Sequence, residues 1–195
     1  MENFKFESEK IIKLSSTITS TNIFKNFDNY NDTMTISQVV RFFERHGLIF
    51  TKTMIQNYVR VSLLPPPVDR RYYTKNHLIL LTIIYNLKEV YSLDEIKKIF
   101  KPIMDDSNTF DGAIDIGIIY SEYISLYNKF IKEFSLSIPI LLDMASETTD
   151  TFSIDDKDKD KVSFFLTMLT IMTQSIATKE LVNLVTHINS HEAQK

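Results

Sequence analysis

Apolar residues recur at helical spacing along most of the chain, and local signals divide the pattern into short elements. Thr35-Ile-Ser-Gln38 is a capping box, in which hydroxyl and carboxamide satisfy free amides at a helix start. Val39, Val40, Phe42 and Phe43 supply the buried face of that helix, and Gly47 closes it in a left-handed conformation. Thr51 is the next N-cap, followed at helical spacing by Met54, Ile55, Tyr58, Val59 and Val61. Pro65 to Pro67 cannot be helical and force an extended path. Val68-Asp-Arg-Arg-Tyr-Tyr73 then predicts a short extended ribbon that leads to Thr74, the cap of a third helix reaching to about Val90. The run from Leu78 to Leu87 in that helix is apolar on most sides and must be buried. Ser92-Leu-Asp-Glu95 opens a fourth helix with Ile96, Ile99 and Phe100 inside.

The second half predicts longer helices. Ile116, Tyr120, Tyr123, Tyr127, Phe130, Phe134, Ser137, Leu141 and Met144 alternate spacings of four and three, a heptad-like stripe. Pro139 interrupts it, so a kink or a junction of two helices is expected between 135 and 139. A second helix is expected from about Lys159 to Asn189. Val162, Phe165, Leu169, Met172 and Ile176 share one face, and the seam then shifts to Ala177, Leu181, Leu184 and Ile188. Val162 to Thr178 contains no charge, but it is shorter than the ~20 apolar residues that span a bilayer. Ser163, Thr167, Thr170 and Gln174 give it a polar face, so its other face is expected in a core and not in lipid.

Composition narrows the chemistry. The three glycines, Gly47, Gly112 and Gly117, fit neither a P-loop nor a dinucleotide fingerprint, and the absence of cysteine excludes disulfides and thiolate metal sites. No nucleophile elbow or His-Glu-x-x-His is present, so an enzyme is not expected and no cofactor is implied. Asp156-Lys-Asp-Lys-Asp160 imitates a calcium loop, but Lys161 and Thr167 occupy the glycine and glutamate positions, which favours a solvated acidic linker. His187 and His191 are four residues apart with no evident third ligand, so no metal site is expected. The first ten residues carry charges where a secretory signal needs an apolar run, which points to the cytoplasm.

Charge is divided unevenly. Residues 35–102 hold eleven Lys and Arg against five Asp and Glu, a net +6. Residues 103–195 hold seven against fifteen, a net -8, and residues 1–34 hold four against five. The chain therefore reads as a partly helical N-terminal extension (1–34), a basic module (35–102) and an acidic helical domain (103–195). A basic module beside an acidic one suggests that the first meets an anionic partner.

Two short helices joined through Gly47 form a helix-turn-helix, whose second helix can enter the major groove of double-stranded DNA. Its outward residues are Lys52, Thr53, Gln56, Asn57 and Arg60, a mixture of base-reading amides and phosphate-binding cations. The alternative is the solvated face of a packed helix. The ribbon that follows carries Arg70, Arg71, Tyr72 and Tyr73, suited to grip a sugar-phosphate backbone. Lys97, Lys98 and Lys101 fit the C-terminal end of their own helix better than a DNA role.

These segments resemble a known family. Residues 50–64 followed by proline are similar to the second helix and exit of the MerR family of winged-helix regulators, as are Arg71-Tyr-Tyr-Thr74 to its wing end and Ser92-Leu-Asp-Glu-Ile96 to its Ser-Leu-Glu-Glu-Ile turn. More closely, Lys52-Thr-Met-Ile-Gln-Asn-Tyr58, Leu64-Pro-Pro-Pro67 and Arg71-Tyr-Tyr-Thr74 resemble the signature of the domain of unknown function 1836 family, a bacterial group. The resemblance implies a mainly α protein: a MerR-like winged helix-turn-helix domain of four short helices and a small wing, then a C-terminal domain of long helices. It implies sequence-specific DNA binding by a transcriptional regulator, as a homodimer paired through those long helices. By position it makes Thr51, Thr53, Gln56, Asn57 and Arg60 recognition-helix contacts, and Arg71 and Tyr73 wing contacts. MerR-type helices usually carry Arg-Tyr where this chain has Gln56-Asn57, and glycine where it has Ser62. That departure leaves a second expectation, a protein-interaction module on a scaffold that has lost DNA binding. The stripe containing Tyr120, Tyr123 and Tyr127 is either core or the lining of a pocket for a small-molecule effector.

Overall fold

The computed structural model describes residues 5–18, 33–104 and 115–192, with side chains to 187. Helices dominate. The order is α1 (Ser8–Thr17), β1 (Met34–Thr35), α2 (Ile36–Arg45), α3 (Lys52–Arg60), β2 (Tyr72–Tyr73), α4 (Lys75–Leu87), α5 (Leu93–Phe100), a 3-10 turn (Lys101–Ile103), α6 (Ile116–Asp150) and α7 (Asp156–Glu192). The chain divides into two compact units, residues 20–126 and residues 1–19 with 127–195. These bounds differ from those read off the charge distribution, because α6 begins in the first unit and continues into the second.

In the first unit, helix starts are set by local chemistry. Gln38 Oε1 accepts from the Thr35 amide (2.8 Å), the Thr51 hydroxyl from the Met54 amide (3.1 Å), and Glu95 Oε2 from the Ser92 amide (2.7 Å). Two helix ends share one hydrogen-bond pattern. After α2, Leu48 N–H reaches the Phe43 carbonyl (2.9 Å) and Gly47 N–H the Glu44 carbonyl (3.0 Å); after α3, Leu63 N–H reaches Tyr58 (2.9 Å) and Ser62 N–H reaches Val59 (3.0 Å). Both are Schellman motifs, which require a left-handed residue just past the helix. Gly47 supplies it at φ 76° and Ser62 at φ 58°. The sequence difference from the MerR pattern thus falls at a position that adopts a glycine-like backbone.

The core of this unit is continuous through all four short helices. Val39, Phe42 and Phe43 of α2, Ile55 and Tyr58 of α3, Leu78, Ile79, Leu80, Leu81 and Ile84 of α4, and Ile96 and Phe100 of α5 are buried. Phe50 links α2 to α4, its ring 4.5 Å from Phe43 and 5.4 Å from Tyr85. β1 and β2 pair antiparallel in the register Met34 to Tyr73 and Thr35 to Tyr72.

In the second unit, α1 is tied to α6, and Phe6 just before it is tied to α7. Ser135 Oγ of α6 donates to the Ser15 carbonyl (3.0 Å), the Phe6 amide donates to Asp160 of α7 (3.4 Å), and the Phe6 ring meets Phe164 edge-on at 5.7 Å. Residues 5–17 therefore pack within this unit, and residues 19–32 of the expected extension lie outside the described residues.

Three expectations for the long helices change. α6 runs unbroken through Pro139, so the residues on either side form one helix. Its buried side only partly follows the expected stripe: Ile116, Tyr120 and Leu141 are buried as expected, but Phe130 and Met144 are exposed and the neighbouring positions Ile138, Leu142, Ala145 and Thr149 are buried. In α7 Ser163 and Thr167 of the expected polar face are buried, whereas Thr170 and Gln174 of that face and Phe165, Leu169, Met172 and Ile176 of the expected core face are exposed. Small side chains at the covered positions let helices approach closely, which larger residues would prevent.

The acidic run opens α7 instead of forming a linker. Lys159 bridges Asp150 (3.4 Å) and Asp156 (3.3 Å), and Lys161 bridges Asp158 (2.6 Å). Asp156 and Asp158 stand in the first turn of α7, where helix-end amides favour negative charge. Gly112, the loop residues 105–108, and the side chains of Ile188 and His191 lie outside the described residues. No described helix is long and apolar enough to cross a membrane.

Candidate nucleic-acid interface

α3 is nine residues long and carries no carboxylate. At 100° per residue, Lys52, Thr53, Gln56, Asn57 and Arg60 fall within an arc of ~140°, opposite Ile55 and Tyr58. Ile55 and Tyr58 are buried, whereas Lys52, Thr53, Gln56 and Arg60 are exposed and Asn57 is half-buried. Arg60 Nη2 donates to Asn57 Oδ1 at 2.6 Å, so these two side chains present a joined amide and guanidinium. Thr51 is exposed as well, but its hydroxyl already accepts the capping bond from Met54.

The C-terminal end of α3 is held from another helix. Lys97 Nζ of α5 donates to the Val61 carbonyl at 3.0 Å. A cation there offsets the partial negative charge of the α3 terminus. Lys97 was expected to serve its own helix end; it serves this one.

The ribbon is a tight hairpin. Val68 and Tyr72 exchange backbone bonds, both 2.8 Å, and Arg71 N–H reaches the Val68 carbonyl at 3.0 Å. The two residues at the tip, Asp69 and Arg70, have φ of 50° and 58°. Paired positive φ values define a type I′ turn, which matches the twist of its strands but favours Asn-Gly. A left-handed Arg70 costs roughly 1–2 kcal/mol. That strain lifts Arg70 and Arg71 into solvent at the tip, with the Arg71 guanidinium 5.3 Å from the centre of the Tyr72 ring.

Tyr73 must be corrected. It is buried, paired with Met34, with its ring edge-on to His77 at 5.3 Å. Burial also pushes its phenol above the ordinary range. Strand alternation is the reason: consecutive residues face opposite sides, so Tyr72 lies on the outer side with the arginine and Tyr73 on the inner.

His77 is the residue that sequence reasoning missed. Its Nδ1 accepts from the Thr74 amide (3.0 Å) and lies 2.9 Å from the Thr74 hydroxyl. The proton must then sit on Nε2, which donates to the Pro66 carbonyl at 3.2 Å. One neutral imidazole thus caps α4 and fastens the proline segment that leads into the ribbon. Burial lowers its pKa, against the opposing hydrogen bonds to Pro66 and Pro65. The available signal was a histidine at the third position of a Thr-capped helix, where Glu or Gln is the usual partner.

Elsewhere, Tyr120 is buried with Tyr123 6.2 Å away, and burial followed by the neighbouring phenol raises its pKa. No cluster of three or more potential metal ligands occurs among the described residues.

Together these elements make a small helical domain with one basic, carboxylate-free helix face and a basic hairpin tip. The chain belongs to the DUF1836 family, a domain of unknown function, whose model matches residues 24–130. That match nearly coincides with the first compact unit and ends within α6. No curated protein and no solved structure matched the chain.

Proposed function

We propose that the protein is a sequence-specific DNA-binding transcriptional regulator acting as a dimer. In this proposal α2 and α3 are the helix-turn-helix of a MerR-like domain and the hairpin at 68–72 is its wing. The observation that carries it is the outer face of α3, where two cations and hydrogen-bonding side chains are exposed with no carboxylate among them. Gln56 and Asn57 are suited to adenine edges, and Lys52 and Arg60 to guanine or phosphate. Arg70 and Arg71 take the backbone phosphates. Thr51 positions the helix, and Tyr73 supports the wing from inside.

Support for dimerisation comes from α7. Phe165, Leu169, Met172 and Ile176 are 60%, 44%, 61% and 67% exposed and follow a spacing of four, three and four. A heptad-spaced apolar stripe of this kind is the seam of a helix pair. A second copy of the chain presents the same stripe, so the pairing is self-complementary.

Selection of bound fragments from the source genome, repeated at two salt concentrations, tests the proposal. A narrow set of duplexes whose affinity falls steeply with salt is expected, because phosphate contacts release counterions. Recovery of one stoichiometric protein partner and no DNA would instead favour an interaction module on this scaffold.

A further inference from the structure

α2 carries a feature that DNA binding through α3 does not use. A groove of about 310 Å³, open to solvent, is lined by Met34, Gln38, Arg41, Phe42, Arg45 and His46. Gln38, Arg41, Phe42 and Arg45 recur at three- and four-residue steps, so they share one helix face. Its floor is apolar and fixed. Phe42 is buried, its ring centre 5.2 Å from that of Phe43 and 4.7 Å from that of His46, and His46 Nδ1 is held 2.8 Å from the Phe42 carbonyl.

The charge above this floor is one-sided. Arg41 and Arg45 are exposed one turn apart and form no ion pair among the described residues. Like charges at this spacing work against the helix that carries them. Glu44, the one carboxylate of α2, does not line the groove. Two guanidinium forks offer the bidentate geometry that carboxylate and phosphate oxygens accept. The volume lies at the small end of ligand pockets, which start near ~300 Å³.

We propose that this groove binds a small organic anion, a carboxylate or phosphate ester carrying a flat apolar group, with the oxyanion on Arg41 and Arg45 and the apolar part on Phe42 and Met34. The same phosphate chemistry could come from a DNA backbone, and the test separates the two sources. Phenyl phosphate, benzoate, inorganic phosphate and a short random-sequence duplex are titrated separately into the full chain, and binding is followed by calorimetry and by the arginine Nε–Hε resonances.

Phenyl phosphate is expected to bind at least about tenfold more tightly than inorganic phosphate, because only the ester covers the apolar floor. Arg41→Ala and Arg45→Ala are each expected to weaken it about tenfold, and Lys at either position to restore part of the loss. Both side chains are exposed, so circular dichroism should show unchanged helix content. Equal affinity for phenyl and inorganic phosphate, retention of binding in the double alanine variant, or resonances moved by the duplex alone would each overturn the proposal. The ester titration contains no DNA, so it can fail or succeed independently of DNA binding through α3.

Discussion

The two compact units cover their apolar residues to different extents. Between α2 and α5 the large side chains point inward, and Val39, Phe43, Ile55, Leu63, Leu64, Leu80, Leu81, Ile84 and Ile96 are fully buried. In the unit of α1, α7 and most of α6, Phe130, Ile140, Met144, Phe165, Met172 and Ile176 are each at least 60% exposed, while the covered positions are Ile138, Leu141 and Leu142 together with Ser15, Ala145, Thr149, Ser163 and Thr167. The first unit completes its own core and leaves charge outside. The second leaves large apolar side chains exposed among the described residues, the surface assigned to the second copy in the proposed dimer.

The sharpest way to break this comparison is to truncate one apolar residue in each unit. Ile55→Ala should cost about 2–5 kcal/mol of unfolding free energy in urea, because it opens a cavity in a closed core. Phe165→Ala should leave that stability nearly unchanged at low concentration while raising the dissociation constant of the proposed dimer in sedimentation equilibrium. Equal losses of fold stability at the two sites would remove the distinction.

The charged side of the first unit gives effects of intermediate size. Gln56→Ala should change the preference among duplexes by about 1–3 kcal/mol at the positions it reads. Arg71→Ala should weaken all duplexes alike and lower the salt dependence by about one counterion.

Smaller effects come from the matched helix ends. Ser62→Gly should stabilise the protein by about 1 kcal/mol, since glycine adopts the left-handed conformation without steric cost. Gly47→Ala should destabilise it by a similar ~1 kcal/mol through φ alone, because a Cβ there meets nothing within 4 Å. Melting curves of the two variants should therefore move in opposite directions.

A pH profile supplies the mildest test. His77 is neutral in the fold and its pKa lies below the ordinary histidine value, so the unfolded chain takes up the proton first as pH falls. Stability should be full above the ordinary histidine pKa of about 6.5 and decline as pH drops through that value toward the folded pKa. His77→Gln should flatten this part of the profile, and an unchanged slope would show that the imidazole is not the titrating group.

What was legible in the chain was what is local. Thr35 with Gln38, Thr51, Ser92 with Glu95, and Gly47 declare themselves within one helical turn, and Ser62 stood out because glycine was expected there. Partners distant in sequence were not legible. β1 pairs with β2 across almost forty residues, Lys97 caps α3 from α5, and nothing local to Asp69-Arg70 announces two left-handed residues. Tyr73 was misplaced because a ribbon pattern fixes alternation but not which side faces the core. The long helices repeat that lesson, since spacing shows that Phe165, Leu169, Met172 and Ile176 share a face without showing whether the same chain covers it. Pro139 continues α6 because packing along the helix can offset the hydrogen bond that a proline removes, about 3 kcal/mol by propensity.

Running the same genomic-fragment selection on the wild type, Gln56→Ala and Arg71→Ala tests the assignment of α3 and the hairpin most directly. If α3 reads bases and the hairpin grips phosphates, Gln56→Ala should enrich a different set of sequences, and Arg71→Ala the same set at lower affinity. Two variants that both keep the wild-type sequences and affinities, or a wild type that enriches no duplex at low salt, would contradict it.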